Sequence, residues 1–184
     1  MSDPTAEPWP EPPLAGDEAS QIVAALERQR ATLAWKCGDL DTAGLRATTA
    51  ASTITLGGLL KHLALVEDDK FTHRIGGRAM PPPWDAVDWD ADPDWEWHSA
   101  ADDTPEQLYA LWREAVARSR VVLDEALADG GMDQTVTSMK DDEGRSPNLR
   151  RVVLDTLEEY ARHVGHADII RESIDGLVGE DRPH

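Results

Sequence analysis

The stretch LEEYARHVGHADIIRE, residues 157–172, decides how this chain is expected to fold. Glu159 and His163 are four positions apart, so both side chains project from one face of a helix. His166 follows three positions later, and Val152 and Ile170 extend the same stripe at its two ends. The stripe is apolar at its ends and ionisable in its middle, which predicts a long helix whose polar centre faces the protein interior and needs a partner there.

Three more segments show helical spacing of apolar residues, and all four carry start or stop signals. Helix 1 is predicted from the N-cap Asp17 to near Gly38, and helix 2 from a Ser52 or Thr53 cap to about Ile75. Helix 3 opens with Thr104 as N-cap and ends near Gly130, while helix 4 follows Pro147 and runs to about Gly176. Strand signals are almost absent, so an all-α four-helix bundle is the expected fold.

The connection between helices 2 and 3, residues 76–103, is unusually long and rich in proline and tryptophan. It carries Trp84, Trp89, Trp95 and Trp97. Loops of this length are uncommon and usually functional, and burying each tryptophan would be favourable by about 1.5–3 kcal/mol. We expect this crossover to fold onto the body of the protein, and its length lets helices 2 and 3 run parallel.

The expected domain organisation is one bundle with short ends. Residues 1–16 are rich in proline and acidic residues and predict a flexible arm, residues 17–178 form the bundle, and residues 179–184 form a flexible tail. Within the bundle, the acidic residues 67–69 are expected to be solvated, and Ile169 is placed on the core side. Arg171 is expected to be a solvated surface charge.

The charge balance excludes several classes of partner. The 184 residues carry 36 acidic and 18 basic side chains, a net charge of -18. Such a surface repels phosphate backbones and anionic membranes, so no nucleic-acid or membrane partner is expected. The single cysteine, Cys37, rules out a disulfide within the chain, and no secretion signal is recognised, so a cytoplasmic location is expected.

The ionisable stripe is a candidate metal site. Glu159 and His163 can bind one ion from adjacent turns, and His62, which also lies in an apolar stripe, is the best third ligand. Two imidazoles and a carboxylate leave coordination positions open, the pattern of catalytic zinc, although nickel and iron(II) accept the same ligands. The competing interpretation is a surface ion pair with a hydrogen-bonded core histidine. His73 and His98 are expected to be exposed or to serve in packing, and the terminal His184 is expected to be disordered.

Two segments carry a resemblance to a known family. GLLKHLALVE (residues 58–67) and EEYARHVGHADIIRESIDG (residues 158–176) resemble the DinB-like superfamily, in particular its actinobacterial branch related to mycothiol-dependent transferases and maleylpyruvate isomerases. The resemblance implies an up-down-down-up bundle with one divalent metal ion on His62, Glu159 and His163. The first helix 4 ligand is often histidine in the superfamily. Here it is Glu159, as in the maleylpyruvate isomerases.

The resemblance also implies an activity. It points to a metal-dependent mycothiol S-transferase, most simply a zinc enzyme, in which a metal-activated thiolate attacks a small electrophilic molecule. His166 and Arg162 then become candidates for contacts with the thiol cosubstrate. Two alternatives stay open: an isomerase or hydrolase that uses metal-bound water, and a non-catalytic bundle that binds small molecules. A homodimer is also open.

Overall fold

The computed structural model describes residues 9–182, and throughout that range its regular secondary structure is helical. The all-α prediction is therefore confirmed. Residues 1–8 of the predicted arm and residues 183–184 of the predicted tail, His184 among them, lie outside the described residues. Among the described helices, none combines the length and apolar character needed to cross a bilayer.

The described part of the chain contains six α-helices, and four of them are long. They are α1 (Glu18–Cys37), α2 (Thr42–Arg46), α3 (Leu56–Glu67), α4 (Trp95–Ser99), α5 (Pro105–Asp129) and α6 (Leu149–Asp175). A π-helical segment, Asp68–Ile75, continues α3, and two 3₁₀ turns lie at Trp84–Ala86 and Gly131–Asp133. The four long helices correspond to the four predicted ones.

The helix ends follow local capping chemistry. Asp17 accepts a hydrogen bond from the backbone of Ser20 at 2.7 Å, as predicted for the start of α1. Thr104 and Gln107 form a capping box at the start of α5. The start of α3 differs from the prediction, because its N-cap is Thr55, whose hydroxyl accepts from the backbone of Gly58 at 3.0 Å.

The long helices pack in two main pairs, α1 against α6 and α3 against α5, with further contacts between α3 and α6. The core is built from the apolar faces of these helices, including Leu26, Leu33, Leu59, Leu60, Leu63, Leu123 and Val153, all of which are 0–2 % exposed. This packing is compatible with the predicted bundle. The up-down-down-up order of the helices stays a prediction.

The crossover between α3 and α5 packs onto the body, as expected from its tryptophans. Trp84 is buried, and Trp89 and Trp95 are half-buried against the core. Trp95 makes edge contacts with Trp84 and Trp89, with ring centroids 6.2 and 6.4 Å apart. Helix α4, which the sequence did not predict, lies in this crossover and contacts α3. The crossover thereby places side chains beside α3.

The acidic run at the end of α3 is only partly solvated: the prediction is wrong for Glu67 and Asp68, whereas Asp69 is partly exposed. Glu67 and Asp68 are both 0 % exposed. Each has cationic partners from another helix: Arg30 of α1 donates to both oxygens of Glu67 at 2.8 and 2.6 Å, and Arg118 of α5 donates to both oxygens of Asp68 at 2.9 Å. These paired, charge-assisted bonds compensate the lost hydration.

Arg30 and Glu67 belong to a larger buried group, here named the Glu67 network, which also contains Tyr160 and Trp112. Tyr160 donates its hydroxyl to Glu67 at 2.6 Å and accepts a hydrogen bond from the indole of Trp112 at 2.9 Å. Burial raises the pKa of Tyr160 well above its usual value, which keeps the hydroxyl protonated as a donor. The network joins α1, α3, α5 and α6.

Two residues of α6 also differ from expectation. Arg171, predicted to be a solvated charge, is 6 % exposed and donates to the backbone carbonyls of Lys36 and Gly38. It binds carbonyl groups at the C-terminal end of α1, where a cation is favourable. Ile169, predicted to face the core, is 61 % exposed. The inner face of α6 here passes through Ala167, Ile170 and Arg171, so position 169 lies on the opposite, outer side of the helix.

Candidate metal centre

The structure brings the three predicted ligands together at one place between α3 and α6. One ligand atom from each of His62, Glu159 and His163 lies within 4.8 Å of the others. On α6, the four-residue spacing puts Nε2 of His163 3.2 Å from Oε2 of Glu159. The rings of His62 and His163 meet edge to face with centroids 4.9 Å apart. We call these three residues the metal cluster, although metal binding itself stays a prediction.

The donor set of the metal cluster suits a divalent ion. Zinc bonds to nitrogen and oxygen ligands are about 2.0–2.2 Å long, so ligands of one ion lie roughly 3–4 Å apart. The observed spacing needs only small side-chain adjustments to meet that requirement. The Glu159 side chain is 37 % exposed and that of His163 9 % exposed, so the cluster lies at the edge of the interior with one side toward solvent.

Protonation favours a ligand role for His163. Burial lowers the pKa of His163 to about 4, and the neighbouring His62 adds to that effect, while Glu159 opposes it. The imidazole is therefore neutral near pH 7. A neutral imidazole has a free lone pair, which is the form that binds a metal.

Both histidines of the cluster have a partner on Nδ1. The Nδ1 atom of His62 is 3.1 Å from Oε1 of Glu96, and Nδ1 of His163 is 3.4 Å from Nδ1 of His166. These contacts leave Nε2 of each ring for a metal. His166 thus lies beside His163 and contacts it, whereas its proposed contact with a thiol cosubstrate stays a prediction.

An aromatic side chain forms one wall of the metal cluster. Trp97 of α4 stacks on His62 with ring centroids 4.5 Å apart and an angle of 22° between the planes. It also lies 5.9 Å from the ring of His163. A Cβ atom at Gly58, one turn before His62, would come within 2.9 Å of the Trp97 ring. Glycine at this position therefore gives the indole room to reach His62.

The sequence did not single out Glu96, and it predicted Trp97 only as part of a crossover that folds onto the body of the protein. Both belong to the short helix α4, more than thirty positions beyond His62. The four crossover tryptophans were a usable signal, because they predicted that this segment packs on the body. No comparable signal marked Glu96, whose acidic side chain resembles the many exposed acids around it.

The other candidate residues lie away from the cluster or on the surface. Arg162 is exposed on α6. Asp69 is partly exposed and pairs with Arg74 at 2.7 Å. His73 and His98 are exposed, as predicted, and the contact of His98 with Asp92 at 3.0 Å raises the pKa of His98.

A cavity adjoins the wall formed by Trp97. Its volume is about 620 Å³. Its lining is mainly apolar, with a few polar and charged groups at its edge, and includes Leu45, Ile54, Trp97, Leu108, Arg46 and Asp103. Trp97 connects this cavity with the metal cluster, because its indole lines the cavity and stacks on His62, whereas the three cluster residues do not line the cavity.

The fold and the cluster define a helical protein with a candidate metal centre of two histidines and one carboxylate between two long helices. The family described as "Mycothiol-S-transferase" matches residues 21–176. The match spans most of the chain, so this protein belongs to the mycothiol S-transferase family. The predicted kinship with mycothiol-dependent enzymes of the DinB-like type is confirmed. Among individually curated proteins, no match to the chain was found.

Proposed function

We propose that this protein is a metal-dependent mycothiol S-transferase that joins the sulfur of mycothiol to a small electrophilic molecule. The observation that carries the proposal is the convergence of His62, Glu159 and His163 in a chain of this family. Zinc is the first choice of metal, and nickel and iron(II) fit the same ligands. The proposed location is the cytoplasm, where thiols are kept reduced.

The metal cluster suits thiol chemistry because its three residues can hold one divalent ion. His163 is neutral near pH 7, and Nδ1 of each imidazole faces another partner, so Nε2 of each ring and the Glu159 carboxylate are the proposed ligands of one ion, which would displace the proton shared by His163 and Glu159. A bound divalent ion would supply the positive charge that lowers the pKa of a thiol placed beside it. The exposed side of Glu159 leaves an approach from solvent.

The thiol must come from a cosubstrate, because the chain has no reactive cysteine. Cys37 is the only cysteine of the sequence, it is 0 % exposed, and burial raises its pKa to about 12. Such a thiol is neither accessible nor ionised near pH 7. In the proposed reaction the cosubstrate sulfur loses its proton to a base or to solvent and forms a bond to the electrophilic carbon. The leaving group departs with the electron pair of the bond that breaks.

The surroundings of the metal cluster suggest where the two substrates bind. We assign the electrophile to the cavity behind Trp97, whose mainly apolar lining fits an uncharged organic molecule. We keep His166 and Arg162 as candidate contacts for the thiol cosubstrate. His166 is half-buried beside His163, and Arg162 is exposed on the same helix, where it can meet a polar group at the cluster's open side.

The test combines metal analysis with a thiol-transfer assay. Wild-type protein purified without chelator is expected to carry one metal ion and to form the conjugate of mycothiol with a generic electrophile, measured by mass spectrometry. The variant His163→Ala should lose both the metal and the activity while circular dichroism shows the fold intact. His98→Ala is the matched control, because this exposed histidine also pairs with a carboxylate, and it should keep both.

Two results would contradict the proposal. One is full stoichiometric metal in His163→Ala by elemental analysis. The other is conjugate formation at the same rate with and without the metal. Consumption of the electrophile without consumption of thiol would instead identify the isomerase or hydrolase alternative.

A further inference from the structure

The short helix α4 holds two side chains against His62 from one side. Trp97 stacks on the face of the imidazole, and Glu96, the residue before it, reaches the Nδ1 edge of the same ring at 3.1 Å. A flat face contact and an edge contact together restrict both the tilt and the rotation of the ring. Helix α4 therefore controls how His62 is presented to α6.

The buried carboxylate of Glu96 has fewer hydrogen-bond partners than its burial requires. It is 5 % exposed, although the other acidic residues of the crossover are mostly exposed. Its Oε1 atom contacts His62, and its Oε2 atom is buried and has no hydrogen-bond partner among the described residues. Burying a carboxylate is unfavourable unless a donor compensates the lost water. The His62 imidazole is the donor that the structure supplies.

The contact determines which nitrogen of His62 carries the proton. A carboxylate can only accept, so the nitrogen that faces Glu96 must be the protonated one. The proton is then on Nδ1, and the lone pair is on Nε2. A metal needs the lone pair, and a carboxylate on the opposite nitrogen also makes the imidazole a stronger donor.

We propose that Glu96 is a positioning residue that fixes the Nδ1–H tautomer of His62 and so directs its Nε2 lone pair toward Glu159 and His163. The inference rests on the proposed metal centre and adds a fourth residue to it. Glu96 acts through His62 and does not itself bind the ion. The Glu96 carboxylate and the Trp97 indole come from adjacent residues, and together they hold the imidazole of His62 in place.

The first test measures the tautomer in the metal-free protein. Long-range ¹H–¹⁵N correlation spectra at neutral pH should show the His62 proton on Nδ1 in the wild type. In Glu96→Ala the proton should move to Nε2, whereas Glu96→Gln, whose amide oxygen can still accept, should keep it largely on Nδ1. Asp92→Asn is the matched control: it weakens the exposed His98 pair, with its 3.0 Å contact, and should leave His62 unchanged.

The second test measures zinc affinity by competition with a chromophoric chelator. Loss of a carboxylate that orients a ligand histidine weakens metal binding by about 10- to 100-fold, which is expected for Glu96→Ala. Glu96→Gln should lose less, and Asp92→Asn should match the wild type. The isosteric Glu96→Gln also keeps the test valid if the alanine variant folds poorly.

The inference is overturned if His62 of the wild type carries its proton on Nε2, or if Glu96→Ala keeps the wild-type tautomer. Unchanged zinc affinity in a folded Glu96→Ala variant would overturn it as well. The tautomer is measured without metal or thiol. Absence of thiol transfer in the wild type would therefore count against the proposed function and leave the assignment of Glu96 to be decided by the spectra.

Discussion

Two polar clusters link α3 to α6, and they differ in how their hydrogen bonds are completed. In the Glu67 network, Oε1 of Glu67 accepts from Arg30 and Tyr160, and Oε2 accepts a second bond from Arg30. The side chains of Arg30 and Glu67 are 1 % and 0 % exposed. In the metal cluster, the side chains of His62 and Glu159 are 19 % and 37 % exposed.

The difference separates a group that stabilises the fold from one that can bind a ligand. Both carboxylate oxygens of Glu67 already accept from guanidinium or hydroxyl donors, so the network needs no further partner. The metal cluster brings one ligand atom from each of its three residues within 4.8 Å of the others, and Nδ1 of each histidine faces a partner outside the cluster. Without metal, Nε2 of His163 can donate to Glu159 at 3.2 Å, and a bound cation would take the place of that proton.

The largest effect on stability is expected from removing one partner of the Glu67 network. Arg30→Ala leaves the Glu67 carboxylate buried without its two guanidinium bonds. Breaking a buried pair in this way lowers the free energy of unfolding by about 3–5 kcal/mol. Urea unfolding followed by circular dichroism measures the change.

The control for Arg30→Ala is Arg28→Ala on the same helix. The Arg28 side chain is 27 % exposed and pairs with Glu11 and Asp181 near the surface. Its removal should lower the free energy of unfolding by no more than about 1 kcal/mol. Equal losses for the two variants would show that the buried network contributes no more than a surface pair.

A smaller effect is expected when metal is added to the wild-type protein. A ligand that binds only the folded state raises the free energy of unfolding, by about 2.7 kcal/mol when free zinc exceeds its dissociation constant 100-fold. His163→Ala should show no such gain, while Arg28→Ala should show the full gain. Thermal unfolding with and without zinc measures both, and stabilisation of His163→Ala by zinc would contradict the assigned site.

The smallest effect is expected from Glu159→Gln in the metal-free protein. The side chain is partly exposed and its close contact is His163, so the change in unfolding free energy should stay within about 0.5 kcal/mol. The same variant should bind zinc weakly, because the amide is a poorer ligand than a carboxylate. A large loss of stability without metal would place Glu159 among the structural residues and remove the contrast between the two clusters.

The sequence predicted those parts of the site that lie on regular helices. Glu159 and His163 follow the four-residue spacing of one helical face, and His62 interrupts an apolar stripe on another helix. Such patterns can be recognised because helical geometry converts spacing into direction. The same reasoning located the caps Asp17 and Thr104, since their chemistry depends on neighbouring residues alone.

The residues that the sequence did not predict depend on contacts between distant segments. In the sequence, Glu67 and Asp68 resemble a solvated acidic run, but in the structure they pair with Arg30 and Arg118 from other helices. In the sequence, Glu96 resembles the other acidic residues of the crossover, and only the packing of α4 on His62 buries it. Burial of a charged side chain depends on a partner that tertiary structure supplies, so local pattern alone assigns such residues to the surface.

The π-helical segment after Glu67 changes which side chains are neighbours along the chain. Its backbone bonds span five residues, as between the Gly76 amide and the Phe71 carbonyl at 2.8 Å. Asp69 and Arg74 can therefore pair although they are five apart, a separation that does not place side chains together on a regular α-helix. Deleting a single residue here would change which side chains are neighbours between Asp68 and Ile75. The side-chain pairings of this short segment thus depend on its exact number of residues, even though part of its surface is open to water.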